Sequence, residues 1–141
     1  IADTGVRRET RGAAADVRAA WERERERTES LFAHVGQIVN DARWAIEVGQ
    51  VEKLGPLMDA NQDALREMGV SSSELERLID AAKGAGALGA KLSGAGRGGN
   101  MIALVAERGQ PCEGLEPSQG YVMEALRSAG ATGVWVTEVR R

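Results

Sequence analysis

With a single cysteine and a single histidine, Cys112 and His34, one copy of this chain can build neither a disulfide framework nor a Cys/His metal cluster. The same scarcity removes a Ser-His-Asp triad unless His34 serves, and His34 sits in a helical pattern with no nucleophile motif beside it. Cys112 follows Pro111 in a polar turn, without a sequence-local base to activate it, which fits a structural or incidental thiol. Aromatic volume is equally scarce, at three Trp, one Tyr and one Phe, so alanine, leucine and valine must build the core. No apolar stretch reaches the roughly 18 residues of a membrane span, and the N-terminus lacks a charged-then-apolar signal pattern, so the expected location is the cytoplasm, with no membrane partner. A formal net charge of -3 gives no global attraction to nucleic acid, although it leaves room for a local cationic pocket.

What remains, 141 residues with 43% apolar and 28% charged, suits one domain, residues 1–141, with a real core. Ile1-Ala-Asp-Thr-Gly-Val6 reads as a short strand entering a turn, and with Ile rather than Met at its head the chain is expected to begin in mid-protein. From about Thr10 to Arg27 an alanine-rich helix runs into the alternating Glu22-Arg-Glu-Arg-Glu-Arg27, whose balanced signs predict a solvated face rather than a nucleic-acid site. Leu31, Val35, Ile38, Val39, Ala42, Ala45 and Ile46 predict an amphipathic core helix ending near Gly49.

Leu54, Leu57, Met58, Leu65 and Met68 predict a third helix capped by Gly69. Asn61 is assigned to its apolar face, where an amide must find a partner: a neighbouring loop or a ligand site. Ser71 with Glu74, and Ser73 with Glu76, offer overlapping capping boxes for a fourth helix through Leu75, Leu78, Ile79 and Ala82. Ala90 to Ser93 and Asn100 to Ala106 read as strands. Pro117 and Ser118 introduce a helix through Tyr121, Val122, Ala125, Leu126 and Ala129 to Gly130, and Val134 to Val139 closes the chain as a strand. Strands separated by runs of helices predict an α+β domain, helices packed on a mostly antiparallel sheet.

The segment with most chemical content is Lys91-Leu-Ser-Gly-Ala-Gly-Arg-Gly-Gly-Asn100, where four glycines, a hydroxyl and two cations fall within ten residues. Such a cluster marks positive φ angles or close backbone approach. Ser93, Arg97 and unshielded N–H groups suit phosphate oxygens. A flexible hairpin connection has the same composition, and the Gly-Lys-Ser/Thr ending of a P-loop is missing.

The order of glycine-rich loop, apolar strand, helix and final strand, preceded by Met58-Asp-Ala-Asn-Gln62 and Gly69-Val-Ser71, resembles the C-terminal half of the mevalonate kinases over essentially the whole chain. These belong to the galactokinase, homoserine kinase, mevalonate kinase and phosphomevalonate kinase superfamily. Residues 91–100 look like its third motif, K-[LI]-[ST]-G-A-G-G-G-G-C, with Arg97 in place of a usual glycine and Asn100 in place of the usual cysteine. Arg97 could serve a salt bridge, an additional phosphate contact or a divergent substrate, the first two being favoured.

The resemblance implies a ferredoxin-like C-terminal domain of a kinase that transfers the γ-phosphoryl group of ATP, with Mg²⁺, to the hydroxyl of mevalonate in isoprenoid precursor synthesis. It also implies that the nucleotide-phosphate loop and catalytic aspartate lie in an N-terminal domain that these residues do not contain, so that the chain alone is inactive and has no catalytic residue of its own. Ser93, Gly94, Ala95, Gly96, Arg97, Gly98 and Gly99 would then contact the ATP phosphates, with Thr10 and Asn61 as weaker substrate-side candidates. A sibling kinase acting on phosphomevalonate or a sugar, and a non-catalytic ligand-binding or assembly module, are the alternatives. The implied partners are the N-terminal kinase domain and a small-molecule substrate; apart from that domain, exposed apolar area predicts self-association into a homo-oligomer.

Overall fold

Residues 1–6, 10–105 and 119–138 are described by a computed structural model of the chain, with Thr10 and Arg11 described in their backbone only. Along the sequence run β1 (Ala2–Asp3), α1 (Thr10–Arg23), α2 (Arg25–Val48), a single 3-10 turn (Val51–Lys53), α3 (Leu54–Glu67), α4 (Ser73–Gly84), β2 (Gly89–Ser93), β3 (Asn100–Leu104), α5 (Gln119–Ser128) and β4 (Gly133–Val134). The strands form one antiparallel sheet in the order β2-β3-β1-β4, with Ala2 opposite both Met101 and Val134. This is the expected α+β arrangement.

Alternation along the strands turns Ala2, Ala90, Leu92 and Met101 to one face. There they meet Leu75, Leu78, Ile79 and Ala82 of α4 and Val122 and Leu126 of α5 in a single buried cluster that also takes Ala13 and Val70. Alanines on the sheet side let the helices approach closely, which is how a core with almost no aromatic volume is filled.

Other expectations need correction. The helix expected from Thr10 to Arg27 breaks at Glu24, whose φ of −129° and ψ of 58° turn the chain into α2. Several exposed charges around the break are paired: Arg25 lies 4.4 Å over Trp21 and bonds Glu29, and Arg27 reaches both Glu24 and Glu67 of α3. The helix predicted to be core, α2, buries only Thr28, Ile38 and Ala45 among its described residues and leaves Phe32, Val39, Trp44 and Ile46 exposed. It packs along α1 and α3 rather than on the sheet, so only a narrow stripe is covered. His34 is an exposed residue of this helix.

Helix α4 starts from Ser72, which lies between the two predicted caps; its hydroxyl accepts the Leu75 N–H at 3.4 Å. Gly69 does close α3, at φ 73° with its N–H on Arg66. Strand β3 ends at Leu104 and β4 at Val134, shorter than predicted. Beyond β4 the ladder continues at Trp135, whose N–H donates to the Ile1 carbonyl and whose carbonyl accepts from the Ile1 ammonium, both at 2.9 Å. Ala106, Cys112, Pro117, Ser118 and Val139 lie outside the described residues.

Strand β2 is an edge strand, and α3 lies against it at backbone distance. A β-carbon on Gly89 would stand 2.2 Å from the Gly55 carbonyl oxygen, and one on Gly55 would stand 2.2 Å from that of Leu88. Gly89→Ala should therefore lower unfolding free energy by about 1–3 kcal/mol through overpacking. Gly36→Ala, on the exposed side of α2 with nothing within 4 Å, should raise it by about 0.5–1 kcal/mol. Urea unfolding of both variants checks the pair.

Candidate functional site

With α3 seated on β2, two of its side chains cap the N–H groups that an edge strand turns outward. Asp59 Oδ1 accepts from Ala90 N at 3.1 Å, while its Oδ2 pairs with Lys83 at 2.7 Å. Gln62 Oε1 accepts from Leu92 N at 2.9 Å, and its Nε2 donates to Ser71 Oγ at 3.0 Å and Glu76 Oε1 at 2.8 Å. Gln62 is the amide that the core takes, at 2% exposure; the expectation placed Asn61 there. Helical spacing explains the shift: Gln62 is seven residues from Gly55, and so shares the face that meets β2, whereas Asn61 is turned about 100° away. Asn61 is half-buried and makes no hydrogen bond among the described residues.

Burial alone would raise the Glu76 carboxyl, but hydrogen bonds from Arg66, Ser71 and Gln62, together with the Arg66 charge, hold it below its usual value of 4.5. The anchor thus joins α3, α4 and β2 just before the glycine loop begins.

The loop leaves β2 at Ser93 and enters β3 at Asn100, and these two residues pair. Between them Gly94, Gly96, Arg97, Gly98 and Gly99 all have positive φ, from 54° at Arg97 to 121° at Gly98. Two other segments grip it. The Arg97 N–H donates to the Val70 carbonyl at 2.7 Å, and a β-carbon at residue 96 would meet that same oxygen at 2.0 Å. On the other side Thr4 N donates to Gly99 O at 2.9 Å, and Gly99 N to Val6 O at 3.2 Å.

Among the described residues, the N–H groups of Gly94, Ala95, Gly96 and Gly98 have no protein acceptor. Backbone donors left free by a held glycine loop suit an anion, whereas a flexible hairpin would have no reason for the two-sided grip. Cationic charge lies nearby. Lys91 is half-buried, with Nζ 2.7 Å from the Leu92 carbonyl oxygen, and burial pushes its ammonium pKa down.

All the candidate residues from Ser93 to Gly99 therefore lie on one loop, and Arg97 is found in a salt bridge to Asp16 of α1. Thr10 opens α1, and its side chain lies outside the described residues. Asp59, Gln62 and Val70 were not singled out; the signal for the first two was the seven-residue line from Gly55. Among the described residues no group of three His, Cys, Asp or Glu could hold a metal ion, and no helix is long and apolar enough to cross a membrane.

Residues 42–113 match the family described as GHMP kinases C terminal, and the chain belongs to that family. Mevalonate kinases stand among its relatives: that of Aeropyrum pernix is 42% identical over 116 residues, covering 82% of this chain and 36% of the relative. That of Pyrococcus furiosus is 36% identical over 143 residues, covering 98% and 40%. In structure the chain is similar to L. major mevalonate kinase, solved in complex with R-mevalonate, at a TM-score of 0.84 and 33% identity, covering 95% of this chain and 39% of that one. A Listeria innocua protein, Lin0012, shares the fold at a TM-score of 0.80 and 20% identity. The chain thus spans about two fifths of the length of the curated relatives it matches.

The Glu76 anchor makes stability pH-dependent with a definite sign. A carboxyl whose folded value is lowered contributes fully above its unfolded value near 4.5, and that contribution is lost as pH falls through the folded value. Urea midpoints measured from pH 7 down to pH 3 should fall in the acid range, and Glu76→Gln should flatten that slope.

Proposed function

We propose that this chain is the C-terminal part of an ATP-dependent mevalonate kinase and that residues 93–99 form its wall of the phosphate site. The observation that carries the reading is the held glycine loop, four of whose N–H groups have no acceptor among the described residues. The family and the named relatives support phosphate as the anion that loop would meet. ATP would supply the γ-phosphoryl group; the chain would offer backbone N–H donors and the Ser93 hydroxyl to its oxygens, and the half-buried Lys91 ammonium would add positive potential.

The relatives' greater length supports a further domain in the parent protein, which would bring the nucleotide-phosphate loop and the catalytic carboxylate. Mg²⁺ would accompany the ATP phosphates in the parent protein. Thr10 and Asn61 are proposed for the substrate side, Asn61 because its half-buried amide makes no hydrogen bond among the described residues. The parent would work in the cytoplasm, in isoprenoid precursor synthesis, and the chain alone would be inactive.

The test is a panel of alcohols offered with ATP to the full-length protein. Mevalonate should be phosphorylated, and phosphorylation of a sugar but not mevalonate would overturn the assignment. In the same assay Ser93→Ala should lower kcat/KM by about tenfold or more, as loss of a donor to a phosphoryl oxygen does. Gly96→Ala, which drives a β-carbon into the Val70 carbonyl, should cost at least as much.

A further inference from the structure

A non-glycine residue in the left-handed region carries a steric cost between its β-carbon and the backbone, and Arg97 sits there at φ 54° in a loop whose other left-handed positions are all glycine. Its contacts say what offsets that cost. The guanidinium Nε donates to the Gly69 carbonyl at 3.3 Å, and Nη1 donates to Asp16 Oδ2, 81 residues upstream on α1. The Arg97 N–H holds Val70 at the same time, so one residue fastens the loop to the α3–α4 connection by backbone and side chain and to α1 by charge. The planar fork is turned to these protein acceptors. Two of the five guanidinium donors are thereby engaged by protein acceptors, and the charge is paired with Asp16.

We propose that Arg97 is a positioning residue of the phosphate loop, acting through Asp16, and not a phosphate ligand. This rests on the kinase reading for its consequence in catalysis, but its structural part does not. The pair sets the loop against α1, so the N–H groups of Gly94, Ala95, Gly96 and Gly98 are presented from a frame whose third point is a helix remote in sequence.

The experiment uses the full-length protein with Asp16→Asn, Arg97→Gln and the double variant, reading amide exchange at residues 94–99, KM for ATP, and kcat. Asp16 is exposed, so Asp16→Asn leaves the core intact. If the pair positions the loop, each single variant speeds loop exchange by about threefold, as a part-exposed ion pair allows. Each also raises KM for ATP, and the double variant is no worse than either single one. Exchanging the charges, with Asp16→Arg and Arg97→Asp together, recovers part of the loss, since aspartate tolerates left-handed backbone.

A direct phosphate ligand gives the opposite sign at one position. Asp16→Asn would free Arg97 and lower KM for ATP while Arg97→Gln raised it, and that result overturns the proposal. Unchanged loop exchange in both single variants, or additive effects in the double, overturns it as well. Failure of the unaltered protein to phosphorylate any alcohol would sink the kinase reading alone, because amide exchange needs no ATP and still decides whether the pair holds the loop.

Discussion

The contact between Gly55 and Gly89 is the constraint on which the rest depends. Because neither residue has a β-carbon, α3 approaches an edge strand at a distance that only backbone atoms can share. That approach brings Asp59 and Gln62 within reach of the outward N–H groups of Ala90 and Leu92, and the edge that could have recruited another strand is closed from within. Once β2 is fixed, its last residue, Ser93, is fixed, and so is the point from which the glycine loop departs.

The loop then depends on its neighbours rather than on its own composition. Glycines give freedom of φ, and freedom alone would yield an ensemble. The structure removes that freedom from outside: Val70 from one side, Thr4 and Val6 from the other, and Asp16 through the side chain of Arg97. Ordering costs already met in the free protein need not be met again when a ligand arrives. Rigidity borrowed from three remote segments is compatible with N–H groups that meet no acceptor among the described residues.

Much of this was legible in the residues. The helices at α3 and α4, the Gly69 cap, the strands either side of the loop and the third motif of the kinase superfamily could be read directly, because each rests on local spacing or a dense motif. What could not be read depended on partners distant in sequence. Apolar periodicity marks a stripe on α2 but not how wide a neighbour will cover it, so Val39 and Ile46 read as core and lie exposed. Three consecutive serines left the cap of α4 undecided, and the frame fell on Ser72 because Ser71 is engaged by Gln62. Asn61 and Gln62 differ only in phase, and the phase is set by two glycines 34 residues apart that no apolar pattern marks. Arg97 announced a departure from its relatives, but its carboxylate partner stands on another helix.

Gln62 also gives the site a direction. Its amide is oriented by having a donor facing one end and an acceptor facing the other, so the Leu92 N–H, the Gln62 amide and Glu76 form a head-to-tail chain that ends on the carboxylate, whose other oxygen accepts from Arg66. Bonds in such a chain polarise one another. A carboxylate on α4 is thereby coupled through a single amide to the peptide group next to Ser93, and the side chain that orients that amide also fixes where the glycine loop departs.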